Sequence, residues 1–236
     1  GHLALFGYEP LKYLIGRGVL EGLGIDVELG PNDVAARGNF CTVDGQGLLV
    51  DRRAGRIPTN LSTPLVEELN RIEVPGVRLS VHPVQDYRFV LVLKGDGLGE
   101  GISETDPQTV GVAPLEARAI SDESAKAAEA VNAFVTEARK VLAGRDTANM
   151  VMLRGFSRLP NLPDFGKGYM LNPAAIAAYP MYRGLAKTVG MKVLPTGSNF
   201  DDELDTLERH FDEHDFFFLH YKPADAAGED GDFDGK

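Results

Sequence analysis

The chain has 236 residues, enough for one large domain or two modest ones with a buried core. Its hydrophobic fraction of 43% and charged fraction of 25% are those of an ordinary globular protein. A formal net charge of −11 argues against nucleic acid or an anionic membrane as partner, since both need a basic surface, yet it leaves room for a local basic pocket.

The opening residues, GHLALFGYEP, carry neither an initiator methionine nor a sorting signal, and the chain reads as beginning inside an element, as a fragment would. No apolar run approaches membrane-spanning length. Cys41 is the single cysteine, so no internal disulfide can form, which suits a reducing cytosol. The segments GLLVDRRAG, VRLSVHP and YRFVLVLKGDG then read as short strands separated by turn residues. One long helix is expected near them, from about Asp122 to Leu142, capped by Ser121 and stopped by Gly144. Its stripe of Val131, Phe134, Val135, Ala138, Val141 and Leu142 has the spacing of core packing. Together these segments predict a mixed, largely antiparallel module.

Beyond it the pattern changes. NMVML at 149–153 is a short apolar strand running into a loop at Arg154 and Gly155. Asn172 and Pro173 offer an N-cap followed by proline at the first helical position, with Pro180 as a kink and Gly190 as the stop. MKVLPTG reads as a strand, and DDELDTLERHFDEH as a helix with Leu204, Leu207 and Phe211 on one face. DFFFLHY is apolar without alternation and is expected to be a strand buried on both sides. The resulting β-α-β-α-β order predicts a parallel sheet with right-handed crossovers.

Two stretches could carry chemistry. DRRAGR places Arg52, Arg53 and Arg56 directly after a strand, and the planar guanidinium fork suits phosphate and carboxylate. A solvated turn paired to surface acids is the competing reading of the same residues. Arg88 and Arg154 border apolar strands and are weaker candidates. The closing DAAGEDGDFDGK offers oxygen ligands only. Within it, DGDFDG (230–235) matches the opening half of an EF-hand calcium loop, without the entering helix or the glutamate at position twelve. Asp225 and Glu229 are four residues apart just after an expected parallel strand, so a helical turn would aim both carboxylates at one point, with Lys222 beside them. A solvated acidic surface loop remains the alternative.

Several blocks, GHLALFGYEPLKYLIGRGVLEGLGI, NDVAARGNFCTVD, DRRAGRIP, YRFVLVLKGDGLGEGISETDP and HYKPADAAGEDGDFDGK, resemble the archaeal-type, cofactor-independent phosphoglycerate mutases of the alkaline phosphatase superfamily. The blocks run from the first residues to the last. The resemblance implies an α/β class fold: an alkaline-phosphatase-like parallel-sheet core, present in part, interrupted by a smaller mixed α+β inserted domain. Residues 1–38 and 147–236 would then be pieces of the metalloenzyme core and 39–146 the inserted, substrate-handling domain. It implies interconversion of 2- and 3-phosphoglycerate in the cytoplasm through a phosphoserine intermediate, with divalent metal ions as cofactors and a small phosphoglycerate, not nucleic acid or membrane, as partner. By resemblance Asp225 is a metal ligand and Lys222, Arg52, Arg53, Arg56 and Arg88 handle substrate. Glu229 stands where the family has a histidine ligand; a harder, anionic donor favours Mn2+ or Mg2+, with Zn2+ still possible. The family's nucleophilic serine is expected upstream of Gly1, so none of Ser62, Ser157 and Ser198 is assigned as nucleophile, and the isolated chain is expected to lack mutase activity. A metal-dependent phosphatase or phosphonate-processing enzyme of the same superfamily, and a calcium-binding module, are the alternatives.

Overall fold

The computed structural model describes residues 2–9 and 11–236, with the side chains of Glu229 and Asp230 outside the described set. Its helices are α1 (His2–Leu5), α2 (Arg17–Gly24), α3 (Thr59–Leu69), α4 (Ala125–Val141), α5 (Phe165–Tyr169), α6 (Pro180–Thr188), α7 (Phe200–His210) and α8 (Lys222–Asp230). Its strands are β1 (Val34–Val43), β2 (Leu49–Asp51), β3 (Arg78–Pro83), β4 (Arg88–Lys94), β5 (Met150–Ser157), β6 (Pro173–Ala177), β7 (Lys192–Leu194) and β8 (Phe216–His220). They fall into two compact units, one of residues 15–22 and 28–159, the other of residues 1–14, 23–27 and 160–236.

The first unit is built on an antiparallel sheet in the order β2-β1-β4-β3, with β5 pairing β1. It is the larger of the two units in this chain and includes both β1 and β5, which pair with each other across the sequence between them. β1 was not legible as a strand. Its ten residues, VAARGNFCTV, mix small, polar and charged side chains, so no apolar run announces it. The alternation is nevertheless strict: Val34, Ala36 and Phe40 join Phe89, Leu91, Leu93, Val151 and Leu153 in the main core, under Val66 and Leu69 of α3 and Val131 and Phe134 of α4. The opposite face carries Arg37, Asn39, Arg88 and Arg154. α3 also escaped the sequence reading, since Pro64 lies inside it. The long helix is present as a short 3-10 turn over Asp122–Ser124 followed by α4, with Phe134 and Ala138 fully buried.

The second unit holds a three-stranded parallel sheet, β7-β6-β8. Five expectations change here. The helix expected from Pro173 is instead β6, the central strand, with all five residues buried; a strand tolerates proline at its first position, and small side chains suit a strand covered on both faces. Pro180 opens α6 at its N-terminus instead of kinking a longer helix, and Gly190 follows its end with φ +80°. The 149–153 strand belongs to the antiparallel sheet and runs on to Ser157. α7 begins at Asn199 through a capping box with Asp202, but its inward face carries Glu203, Thr206 and Leu207. Leu204 and Phe211, expected on that face, are 40% and 64% exposed. β8 is an edge strand whose residues are all half-buried, where burial on both sides was expected.

α2 lies directly on β1. A Cβ added to Gly18 would stand 2.4 Å from the backbone of Ala35 and Ala36. Gly18→Ala is therefore expected to destabilise the antiparallel unit by about 1–3 kcal/mol, since backbone cannot yield as a side chain can. A lowered urea midpoint with an unchanged slope is the measurement that checks this.

Candidate functional site

The polar face of the antiparallel sheet gathers arginines through strand register. Arg37 of β1 pairs across to Arg154 of β5, and Asn39 of β1 to Arg88 of β4. All four side chains leave the same face, because residues two apart on a strand, and those directly opposite across a ladder, point the same way. Arg52 follows β2, whose Asp51 pairs with Thr42 at the end of β1. α2 brings Arg17 and Glu21 to the same face.

The best-defined contact is between Arg52 and Asp106. Arg52 Nε donates to Asp106 Oδ1 at 3.0 Å and Nη2 to Oδ2 at 2.7 Å, a bidentate pair. Thr105 places Asp106 there: its N–H donates to Leu153 O at 2.9 Å and its Oγ1 accepts from Leu153 N at 2.7 Å, stitching the segment alongside β5. Arg154 Nη1 reaches the same Asp106 Oδ2 at 3.4 Å, and its Nη2 stands 3.6 Å from Glu104. The Asp106 side chain is 1% exposed. Burial pushes its pKa up, but the Arg52 hydrogen bonds, the Gln108 N–H and the charges of Arg52 and Arg154 outweigh this, and the net shift is downward. Asp106 is thus a buried anion locking two guanidiniums.

The remaining arginines of DRRAGR are placed differently. Asp51 accepts from the N–H groups of Arg53 and Gly55, and Ala54, Gly55 and Arg56 follow with φ of +47°, +64° and +55°. Two non-glycine residues in the left-handed region are costly; the Asp51 bonds and the full burial of Ala54 in the core hold them there. Arg53 and Arg56 are exposed on this turn. Arg88 lies on the sheet face, its guanidinium 5.0 Å from the Tyr87 ring centroid. Of the expected substrate residues in this unit, the structure brings Arg52 and Arg88 to the polar face and leaves Arg53 and Arg56 on the turn beside it. Sequence reasoning missed Arg37, Arg17, Glu21 and Asp106. Period-two placement would have found Arg37 had β1 been recognised; Asp106 lies in irregular chain and gives no pattern.

In the parallel unit, Lys222 and Asp225 stand on the first turn of α8, immediately after β8, at the carboxyl end of the sheet. Lys222 donates to Asp225, and this bond holds the Asp225 carboxyl below its ordinary pKa. His220 stacks on Tyr182 close to His2; burial lowers the pKa of both histidines, while Asp225 pulls it up. Glu229 is one turn further along α8, but its side chain lies outside the described residues. Asp232 and Asp234 of the calcium-loop reading are exposed, and Asp232 accepts from Gly235 N–H at 2.9 Å. Among the described residues, no three His, Cys, Asp or Glu side chains are grouped as a metal site. Among the described residues, Asp225 thus offers one carboxylate at this place.

A profile of the 2,3-bisphosphoglycerate-independent phosphoglycerate mutase family matches residues 1–148. The chain is 46% identical over 238 residues to a probable 2,3-bisphosphoglycerate-independent phosphoglycerate mutase of Thermosipho melanesiensis, covering all of this chain and 59% of the relative. It is 44% identical over 241 residues, with the same coverage, to one of Thermus thermophilus. Among solved structures, the cofactor-independent phosphoglycerate mutase of Thermoplasma acidophilum superposes with a TM-score of 0.67 at 28% identity, covering 93% of this chain and 62% of that one. The PH0037 protein of Pyrococcus horikoshii superposes with a TM-score of 0.78 at 25% identity, over 98% of this chain and 57% of that one. The chain therefore spans 59% of the length of these curated relatives.

Replacing Asp106 by Asn leaves Arg52 and Arg154 facing each other without their shared anion, at an expected cost of about 3 kcal/mol at neutral pH. Because the folded pKa is lowered, the Asp106 contribution is complete above the unfolded value of about 4 and is lost as pH falls through the folded value. The stability gap between wild type and D106N, measured by urea unfolding, should hold steady down to about pH 5 and close below about pH 4.

Proposed function

Because the chain belongs to the 2,3-bisphosphoglycerate-independent phosphoglycerate mutase family, we propose that the protein it forms part of interconverts 2- and 3-phosphoglycerate. The observation that carries this reading is the arginine face. Phosphoglycerate bears a phosphate and a carboxylate a few bonds apart, and two sets of guanidiniums suit it: Arg52 with Arg154, locked by Asp106, and Arg37 with Arg88. In a chain of net charge −11, an arginine cluster of this size is a local inversion of sign that anion binding explains. Arg53 and Arg56, on their strained turn, are proposed to close over the same ligand.

The proposed route passes the phosphoryl group to an enzyme serine and returns it to the other glycerate hydroxyl, with no serine of this chain assigned that role. The arginines then have two tasks: to orient the phosphoryl donor and to retain glycerate by its carboxylate while it turns. A divalent ion, Mn2+ or Mg2+ ahead of Zn2+, belongs to the proposal, with Asp225 as one hard oxygen donor and Lys222 as the cation beside it. When bound, such an ion would supply charge neutralisation at the phosphoryl group. The described residues supply only part of a ligand set for it. A cytoplasmic setting accompanies a reaction of this kind.

The test is the full-length protein incubated with 3-phosphoglycerate and followed by 31P NMR. Appearance of 2-phosphoglycerate without added bisphosphoglycerate, its loss on chelation and its return with Mn2+ or Mg2+ are the expected results. Accumulation of glycerate and free phosphate would instead assign a phosphatase, and activity untouched by chelation would remove the metal from the proposal. Arg154→Gln should lower kcat/KM about a hundredfold, an effect on the scale of losing a charge-assisted contact to the substrate.

A further inference from the structure

Glu21 faces the arginine cluster from α2, and the binding scheme above leaves it without a role. Its side chain is 2% exposed. Oε1 accepts from Arg37 Nη1 at a long 3.4 Å, and Oε2 has no hydrogen-bond partner. The charged groups acting on it are Arg37 from β1, Arg88 from β4 and Arg17 from its own helix. Asn39 of β1 accepts from Arg37 Nε at 3.3 Å.

A buried carboxylate among guanidiniums ordinarily forms short, multiple bonds with them. This one makes a single long contact, to Arg37, although the charges of Arg88 and Arg17 also act on it. Burial keeps its pKa above the ordinary carboxylate value, and Arg37, Arg88 and Arg17 only partly offset that. The carboxylate therefore lies at the face as a fixed charge held by one contact, to Arg37.

We infer that Glu21 is a resident counter-anion of the arginine face, balancing Arg37 and Arg88 when no ligand is bound and opposing an incoming anion for them. The identity of the ligand rests on the proposed function; the competition does not. Its repulsion acts on every anion that enters the face, and most on the one of highest charge.

Titration calorimetry on the full chain with 3-phosphoglycerate, inorganic phosphate and glycerate tests the inference. Glu21→Gln keeps shape and removes charge, and should tighten phosphate and 3-phosphoglycerate about tenfold, on the scale of one partly screened charge, and glycerate less. A merely structural Glu21 would give the opposite sign, because a loosened Arg37 binds anions worse. Unchanged or weakened binding in Glu21→Gln therefore overturns the inference, as does a chain that binds none of the three anions with or without the substitution. Glu21→Asp, which draws the carboxylate back by one methylene, should tighten phosphate about threefold and decides the question if Glu21→Gln does not fold. Tighter phosphate in Glu21→Gln, with 3-phosphoglycerate bound no better than phosphate by either form, would keep the counter-anion and discard the phosphoglycerate reading.

Discussion

A strand paired on both sides has no freedom in which residues it buries, and β1 imposes that constraint on the antiparallel unit. Held between β4 and β5, it turns Val34, Ala36 and Phe40 into the helix-covered core and Arg37 and Asn39 out of it. Register with its neighbours then fixes where Arg88 and Arg154 emerge. A slip of one residue would drive Arg37 into the core and expose Phe40, so packing on one face guarantees the chemistry of the other. The close approach of α2 at Gly18 belongs to the same arrangement, since it brings Glu21 within reach of Arg37.

Concentrating guanidiniums on one face carries an electrostatic cost, and the structure meets it locally. Asp106 is the stronger device: it is buried, bidentate to Arg52, and shared with Arg154. Glu104 adds a looser contact to Arg154. The acids that oppose these arginines are few and placed close, while much of the chain's acidity lies elsewhere, as in α7 with Asp201, Asp202 and Glu203 in its first turn. Charge is therefore segregated within the chain, and its overall sign says little about its binding surfaces.

The sequence was legible where a single local rule decided the outcome. β3, β4, α4 and β7 follow apolar runs or helical periodicity, and Gly144 and Gly190 mark stops with positive φ. It misled where two rules competed. Asn172-Pro173 satisfies a helix start, yet the same residues open a strand because burial between β7 and β8 outweighs the helix preference of alanine. Leu204 and Phe211 obey helical spacing, but α7 turns Glu203 and Thr206 inward instead, a choice made by the sheet beneath it. Of the site, the arginine-rich turn was visible as a cluster in sequence. Arg37 was not, because it sits alone in a strand that lacks an apolar signature. Asp106 and Glu21 acquire meaning only through partners more than a dozen residues away, which no local window contains.

The half-buried edge strand β8 has a consequence for handling the protein. Among the described residues it has one hydrogen-bonded neighbour, β6, so its other flank presents backbone donors and acceptors beside three consecutive phenylalanines. Such a flank is a template for a further strand, from whatever chain offers one. The acidic run that follows in and beyond α8 sits next to it and repels a second copy carrying the same charges. That protection is electrostatic and has a range of about 10 Å at 0.1 M salt, contracting to about 3 Å at 1 M. Association through this flank is therefore expected to rise with ionic strength and as pH approaches the isoelectric point near 4.9.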